Sequence, residues 1–250
     1  KPFLVQQWTA SMLTLNKKCY VLNGMGTGKT RSALWAWDYL YGKGLSGRLL
    51  VVAPLSTIDF VWAREVFTVM PHRRCAVLHG SRDTRLRRLE DDTVDIFIVN
   101  HDGLKIVAPY LPDDVTTMVL DELAVYRNRS DRTKLCKKVA DDKMDLVWGM
   151  TGSPIPQAPT DVWNQANIIT PNTIPRSFIA FRDRVMKKVT TFKFVPKHDG
   201  VQQAFDVLRP AVRYTLDDVV ELPEVIHHPL TEVPLGPKQL KAYEELRRQA

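Results

Sequence analysis

Along the first 150 residues, short and wholly apolar runs alternate with longer stretches whose apolar positions recur every three or four residues. The runs at 19–22, 49–53, 75–78, 96–100, 118–120 and 146–150 predict strands, and the stretches at 30–40, 58–69, 82–89 and 132–140 predict helices. Because the strands lack polar alternation, they suit a sheet covered on both faces. Their alternation with helices predicts βαβ units, an α/β fold and a mainly parallel sheet flanked by helices. After Thr151 the texture changes. GSPIPQAPTD and TPNTIP mark loops between short helices, and VTTFKFVPKHDG reads as a small hairpin or an exposed loop. VIHHPLTEVPL (225–235) is strand-like, and PKQLKAYEELRRQA is a charged helix with Pro near its start.

Composition narrows the function classes. A chain of 250 residues, 44% apolar and 25% charged, has the make-up of a soluble globular protein with one large or two small cores. Its longest apolar runs, LLVVAPL and DIFIVN, fall far short of the roughly 18 residues of a membrane span. The start, KPFLVQQWTAS, turns polar too early for a signal peptide. Three widely spaced cysteines read as reduced intracellular thiols, and His227-His228 lacks the second ligand cluster that zinc requires. The formal charge of +7 and pI of 9.3 favour a polyanionic partner. Arg73, Arg74, Arg82, Arg85, Arg87 and Arg88 form one basic run and Lys187, Lys188, Lys193 and Lys197 another. Each run is either a groove contact or a solvated face.

NGMGTGKT (23–30) lies between the apolar CYVL and a helical stretch, the setting of a phosphate-binding P-loop. Gly26 and Gly28 would let backbone N–H groups close around phosphate oxygens, and the following helix would add its positive end. The cradle would comprise Gly24, Met25, Gly26, Thr27, Gly28, Lys29, Thr30 and Arg31. Within it Lys29 would reach the β- and γ-phosphates and the Thr30 hydroxyl would ligate Mg²⁺. TTMVLDEL supplies the carboxylates such a site needs. Asp121 would act on the metal, directly or through water, and Glu122 would polarise the attacking water. VWGMTGSP ends a third strand in Thr151, Gly152 and Ser153, whose hydroxyls could join the phosphate region to a neighbouring surface.

In their order, NGMGTGKT, VVAPLST, IVNHDGL, LDELAVYRNRS and MTGSPIPQAPTDVW resemble the first motor lobe of helicase superfamily two. Within it they are most similar to the Swi/Snf group of DNA-dependent ATPases. That group often carries Asp-Glu-Met-Gly-x-Gly-Lys-Thr, so Asn23 and Met25 fit it better than they fit a general P-loop. Downstream, LRPAVRYTLDDVVELPEV and PKQLKAYEEL extend the likeness over nearly the whole chain. The resemblance implies a RecA-like ATP-binding core in 1–155, with 156–250 the remainder of the lobe as a helical and loop extension. It implies that Gln7, or Gln6 in the alternative register, reads the adenine edge of ATP. It implies that Pro54, Ser56 and Thr57, with Asn100 and His101, track one DNA strand.

One departure stands out. Relatives carry a polar residue where this acidic box has Ala124, which cannot make a polar link to the TGSP segment. That bears on coupling between hydrolysis and DNA binding.

No second RecA-like series or arginine finger follows in the chain, so the resemblance implies one lobe of a longer motor. It is expected to bind ATP and Mg²⁺, to turn over poorly alone, and to act on double-stranded DNA with a second RecA-like lobe and no membrane. Single-stranded DNA or RNA are alternative partners. The alternative functions are a strand-separating DNA or RNA helicase on the same fold, and a non-catalytic nucleotide-switched module. The expected location is intracellular: cytoplasmic if the source is bacterial or viral, nuclear if eukaryotic.

Overall fold

The computed structural model describes residues 2–191, 193–219 and 234–249. It comprises two units, Lys1–Val220 and Glu221–Ala250.

The first unit opens with helix α1 (Leu4–Leu15) and strand β1 (Lys18–Val21), followed by α2 (Lys29–Gly42) and β2 (Arg48–Ala53). A π-helical turn (Ile58–Ala63) runs directly into α3 (Arg64–Val69). Then come β3 (Cys75–Val77), α4 (Arg82–Leu89), β4 (Ile96–Asn100), α5 (Leu104–Val107) and β5 (Val115–Asp121). The series continues with α6 (Asp131–Asp142), β6 (Leu146–Met150), α7 (Val162–Ile169) and α8 (Phe178–Val185). A hairpin of β7 (Met186–Lys188) and β8 (Phe194–Pro196) precedes α9 (Gly200–Val207) and β9 (Ala211–Val212). The second unit holds α10 (Pro237–Gln249).

Seven strands form one sheet in the order β3-β4-β2-β5-β6-β1-β9, and every pairing in it is parallel. Successive strand residues point into two different apolar layers, so the centres of the runs are apolar at every position. Leu50, Val52, Val99, Leu120 and Val147 join Leu104, Val139 and Ala166 in one layer. Leu49, Val51, Ile98, Val119 and Trp148 join Leu13, Leu34, Trp37 and Trp62 in the other. Fully burying each of these side chains is worth about 1.5–3 kcal/mol. An acidic substitution at Val51 or Val119 would put a charge among them.

The strands expected from the sequence form within a residue or so of their predicted limits, except β5, which starts earlier. VTTFKFVPKHDG takes the hairpin option. Helix α1 and strand β9 are additions, while the strand-like 225–235 and His227-His228 lie largely outside the described residues. The compact unit runs past residue 155 without a break, because α7 packs on α6 and α9. Among the described residues no helix is long and apolar enough to cross a membrane.

Candidate nucleotide site

The strand order sets β1, β6 and β5 side by side, so their carboxyl ends open on one edge. At β1 the chain turns through the glycine loop. Gly26 (φ +78°) and Gly28 (φ +82°) take the left-handed conformation that favours glycine. At Gly28 a Cβ would also collide with the Gln6 amide of α1. Thr27 is buried, with its hydroxyl donating to the Gly24 carbonyl at 2.9 Å. The Lys29 ammonium donates to the carbonyls of Asn23 (2.9 Å) and Gly24 (2.8 Å). Burial lowers the pKa of Lys29, while the charges of Asp121 and Glu122 oppose that shift.

Asn23 has a definite mechanical job. Only 1% exposed, it donates to the Thr9 hydroxyl at 3.0 Å and accepts the Tyr214 N–H at 3.0 Å. The loop is thereby bolted to α1 and to the segment after β9, where Gly24 N–H also donates to the Tyr214 carbonyl at 2.7 Å. Replacing Asn23 by Ala strands these partners and should cost about 1–3 kcal/mol in a denaturant melt. Asn23→Asp keeps both contacts, because the Thr9 hydroxyl can donate as well as accept, and should fall between.

At the end of β5, Asp121 is held at both carboxylate oxygens. One accepts the Trp62 indole N–H at 2.9 Å and the other the Glu122 backbone N–H at 3.1 Å. Burial raises the Asp121 pKa, opposed by these two bonds and by Lys29. Glu122 adopts φ +52°, ψ +55°, a left-handed conformation costing a non-glycine residue about 1–3 kcal/mol. Its carboxylate accepts the Thr151 hydroxyl at 3.0 Å, and that hydroxyl in turn accepts the Ser153 N–H at 3.2 Å. A Cβ at Gly152 would lie 3.5 Å from the Asn23 carbonyl, so the TGS turn abuts the glycine loop. The acidic box is therefore tied to the TGSP segment through Glu122. Ala124 itself is buried and makes no polar link, as expected.

A depression of 390 Å³ beside the loop is lined by Gln6, Gly26, Lys29, Thr30, Val61 and Glu65, among others. Arg31, also on its wall, pairs with Glu65. Gln6, not Gln7, faces this space. Gln7 is exposed and donates from its amide to the Pro2 carbonyl at 3.0 Å, because α1 turns it to the outside. Met25 is exposed on the loop's outer side.

The candidate nucleic-acid segments gather on the neighbouring half of the edge. Ala53 pairs with Asn100 across β2 and β4, which sets Pro54, Ser56 and Thr57 beside Asn100 and His101. Ser56 is exposed. Asn100 is half-buried and accepts from Arg85 at 3.2 Å. His101 departs from expectation. It is 7% exposed, its Nδ1 lies 2.9 Å from the Tyr126 hydroxyl, and burial with the Arg132 charge pushes its pKa down to about 4. A neutral interior imidazole is not a surface phosphate contact. Part of the arginine run is structural too. Arg85 is buried against the Leu78 and Gly80 carbonyls, and Arg73 pairs with Asp38 at 2.7 Å. The lysines of the second run are exposed on or beside the β7–β8 hairpin.

Sequence reasoning missed Trp62, Thr9 and Tyr214 as supports of the site. Their signals are weak: an aromatic on an amphipathic stretch, a threonine three residues after Gln6, and a tyrosine distant in sequence.

A glycine loop and acidic strand end on one edge of a parallel sheet define a RecA-like P-loop lobe. Residues 5–250 match the SNF2-related domain, and the chain belongs to that family as a first motor lobe of Swi/Snf type. Protein p41 of Acyrthosiphon pisum secondary endosymbiont phage 1 is 30% identical over 184 residues, covering 69% of this chain and 40% of that protein. The ATP-dependent DNA helicase DDM1 of Arabidopsis thaliana is 29% identical over 178 residues, covering 66% of this chain and 22% of DDM1. The Sulfolobus solfataricus SWI2/SNF2 ATPase core in complex with dsDNA shares the fold with a TM-score of 0.69 at 20% identity, over 86% of this chain and 44% of that one. The chain thus spans less than half the length of these relatives.

Proposed function

We propose that this lobe binds ATP with Mg²⁺ and, closed against a second RecA-like lobe, hydrolyses it to drive translocation along, or remodelling of, double-stranded DNA. The observation that carries the reading is the meeting of the Gly26–Gly28 cradle, Lys29 and the Asp121-Glu122 carboxylates on one sheet edge. The residues suit the ligand. A loop that excludes any Cβ at Gly28 leaves backbone N–H groups for phosphate oxygens, with a cation beside them. A hydroxyl and two carboxylates form an oxygen donor set of the kind Mg²⁺ prefers.

Bound as its magnesium complex, ATP supplies the phosphoanhydride that is cleaved. Lys29 would neutralise phosphate charge, Thr30 and Asp121 would hold Mg²⁺, directly or through water, and Glu122 would take a proton from the attacking water. Gln6 replaces Gln7 as the residue for the adenine edge, since its side chain shares the depression with the loop. The Pro54–Thr57 turn and Asn100 approach phosphates of one strand without reading bases.

The test is ATP hydrolysis by the natural full-length protein with duplex DNA, single-stranded DNA and RNA, beside triplex-displacement and strand-separation assays. We expect duplex to stimulate hydrolysis and the triplex strand to be displaced without duplex unwinding. A polypeptide of residues 1–250 alone should bind a fluorescent ATP analogue and turn over slowly, because the transition-state charge lacks the second lobe's arginines. Stimulation by RNA and not by duplex would overturn the choice of track.

A further inference from the structure

We propose that Trp62 is a positioning residue that fixes Asp121 and links it to the Pro54–Thr57 turn. The inference rests on the nucleotide reading given above and names a regulator of that site.

Three observations converge on Trp62. First, its side chain is fully buried, and a buried indole N–H requires a partner. Asp121 is that partner at 2.9 Å, and the other Asp121 oxygen is occupied by the Glu122 N–H. The carboxylate is therefore locked in rotation about its own bond. Second, Trp62 sits in a π-helical turn, a rare geometry that often marks functional sites. The Thr57 carbonyl accepts from both Val61 (3.1 Å) and Trp62 (2.9 Å), so one hydrogen bond separates the loop from the Trp62 backbone. Thr57 is itself folded onto Pro54, whose carbonyl accepts its N–H at 2.9 Å and its hydroxyl at 3.0 Å. Third, residues on either side of Trp62 in the same helical stretch reach the nucleotide depression. Val61 and Glu65 line it, and Glu65 pairs with Arg31.

The segment from Pro54 to Glu65 thus has one end at the candidate strand-tracking turn and the other at the nucleotide site. A shift of the turn moves Thr57, then Trp62, and with it the hydrogen bond that aims Asp121. Spatial continuity alone does not establish coupling, so the hydrogen bond must be removed without changing the packing.

The experiment uses the natural full-length protein with Trp62 replaced by 3-benzothienylalanine, which keeps the ring shape and puts sulfur in place of N–H. Trp62→Phe serves as a second variant. Four quantities are read: the Mg²⁺ concentration that half-saturates binding of a fluorescent ATP analogue, ADP binding in EDTA, the ratio of duplex-stimulated to basal hydrolysis, and the melting temperature. Loss of a group that orients a metal ligand typically costs 10–100-fold in metal affinity or activity. We expect the half-saturating Mg²⁺ to rise about tenfold and the stimulation ratio to fall by a similar factor. ADP binding in EDTA should stay at the wild-type value, while the melting temperature falls modestly because the Asp121 carboxylate loses one partner. A purely structural role would lower the melting temperature and leave the Mg²⁺ dependence alone. A wild-type value for either the Mg²⁺ half-saturation or the stimulation ratio in the benzothienyl protein overturns the role of Trp62 and leaves the nucleotide reading standing. Unsubstituted protein that binds no nucleotide, or is not stimulated by duplex, overturns that reading and this inference with it.

Discussion

Glu122→Gln leaves ATP binding within about threefold of wild type and lowers DNA-stimulated hydrolysis by roughly 10²–10⁴-fold, the usual contribution of a positioned general base. The substitution keeps the length of the side chain and an oxygen able to accept the Thr151 hydroxyl, now 3.0 Å away. It removes the basicity that, in the proposed function, draws a proton from water. The backbone argues that this side chain is placed for chemistry, since Glu122 alone among the described non-glycine residues has positive φ. A strained conformation persists only where its surroundings enforce it, and such residues gather at active sites. Here the neighbours are the Asp121 carboxylate on the Glu122 N–H and Thr151 on its side chain. Binding of a fluorescent ATP analogue and phosphate release, measured on the same full-length preparation, separate the two effects. Unchanged hydrolysis in Glu122→Gln would remove Glu122 from the role of general base, whereas unsubstituted protein that binds ATP without hydrolysing it would favour a nucleotide-switched module.

Most of the scaffold was legible in the sequence because it is written in local pattern. A strand buried on both faces is apolar through its centre, so β2, β4 and β6 stand out as RLLVVA, IFIVN and LVWGM, with polar residues only at their ends. The loop glycines and the Asp121-Glu122 strand end were equally plain, since each is a short motif with its own backbone requirement. What escaped depends on distant parts of the chain. Whether Gln6 or Gln7 faces the loop is decided by the rotation of α1, which Thr9 fixes by bonding to Asn23. The interior position of His101 follows from Tyr126, which lies on the far side of β5 in sequence and returns to meet it. β9 has two residues, too few for a pattern, and is defined by its pairing with Tyr20 and Val21. A left-handed turn at Glu122 redirects a side chain that strand periodicity would have aimed elsewhere.

Lys29→Met separates function from stability and has the largest expected effect on binding. In the proposed function the Lys29 ammonium meets β- and γ-phosphate oxygens, and truncating one partner of a buried charged hydrogen bond costs about 2–5 kcal/mol. That corresponds to roughly 30-fold to several thousandfold in the ATP dissociation constant. The fold responds differently. Burial lowers the Lys29 pKa, so the charged form is less favourable in the folded chain than in the unfolded one. For a base with a depressed folded pKa, that penalty applies throughout the range in which both states are protonated, below the folded value. Methionine removes the penalty but strands the Asn23 and Gly24 carbonyls that accept from Nζ, and it takes from Asp121 a charge that opposes its raised pKa. We expect these to offset, so that without nucleotide Lys29→Met melts at or slightly above the wild-type temperature near pH 7. Adding ATP and Mg²⁺ should then raise the wild-type midpoint, as any ligand that binds only the folded state does, and leave that of Lys29→Met where it was. A variant that loses binding and also melts well below wild type would show that Lys29 holds the loop together, and that the cradle depends on the lysine for its shape as well as for its charge.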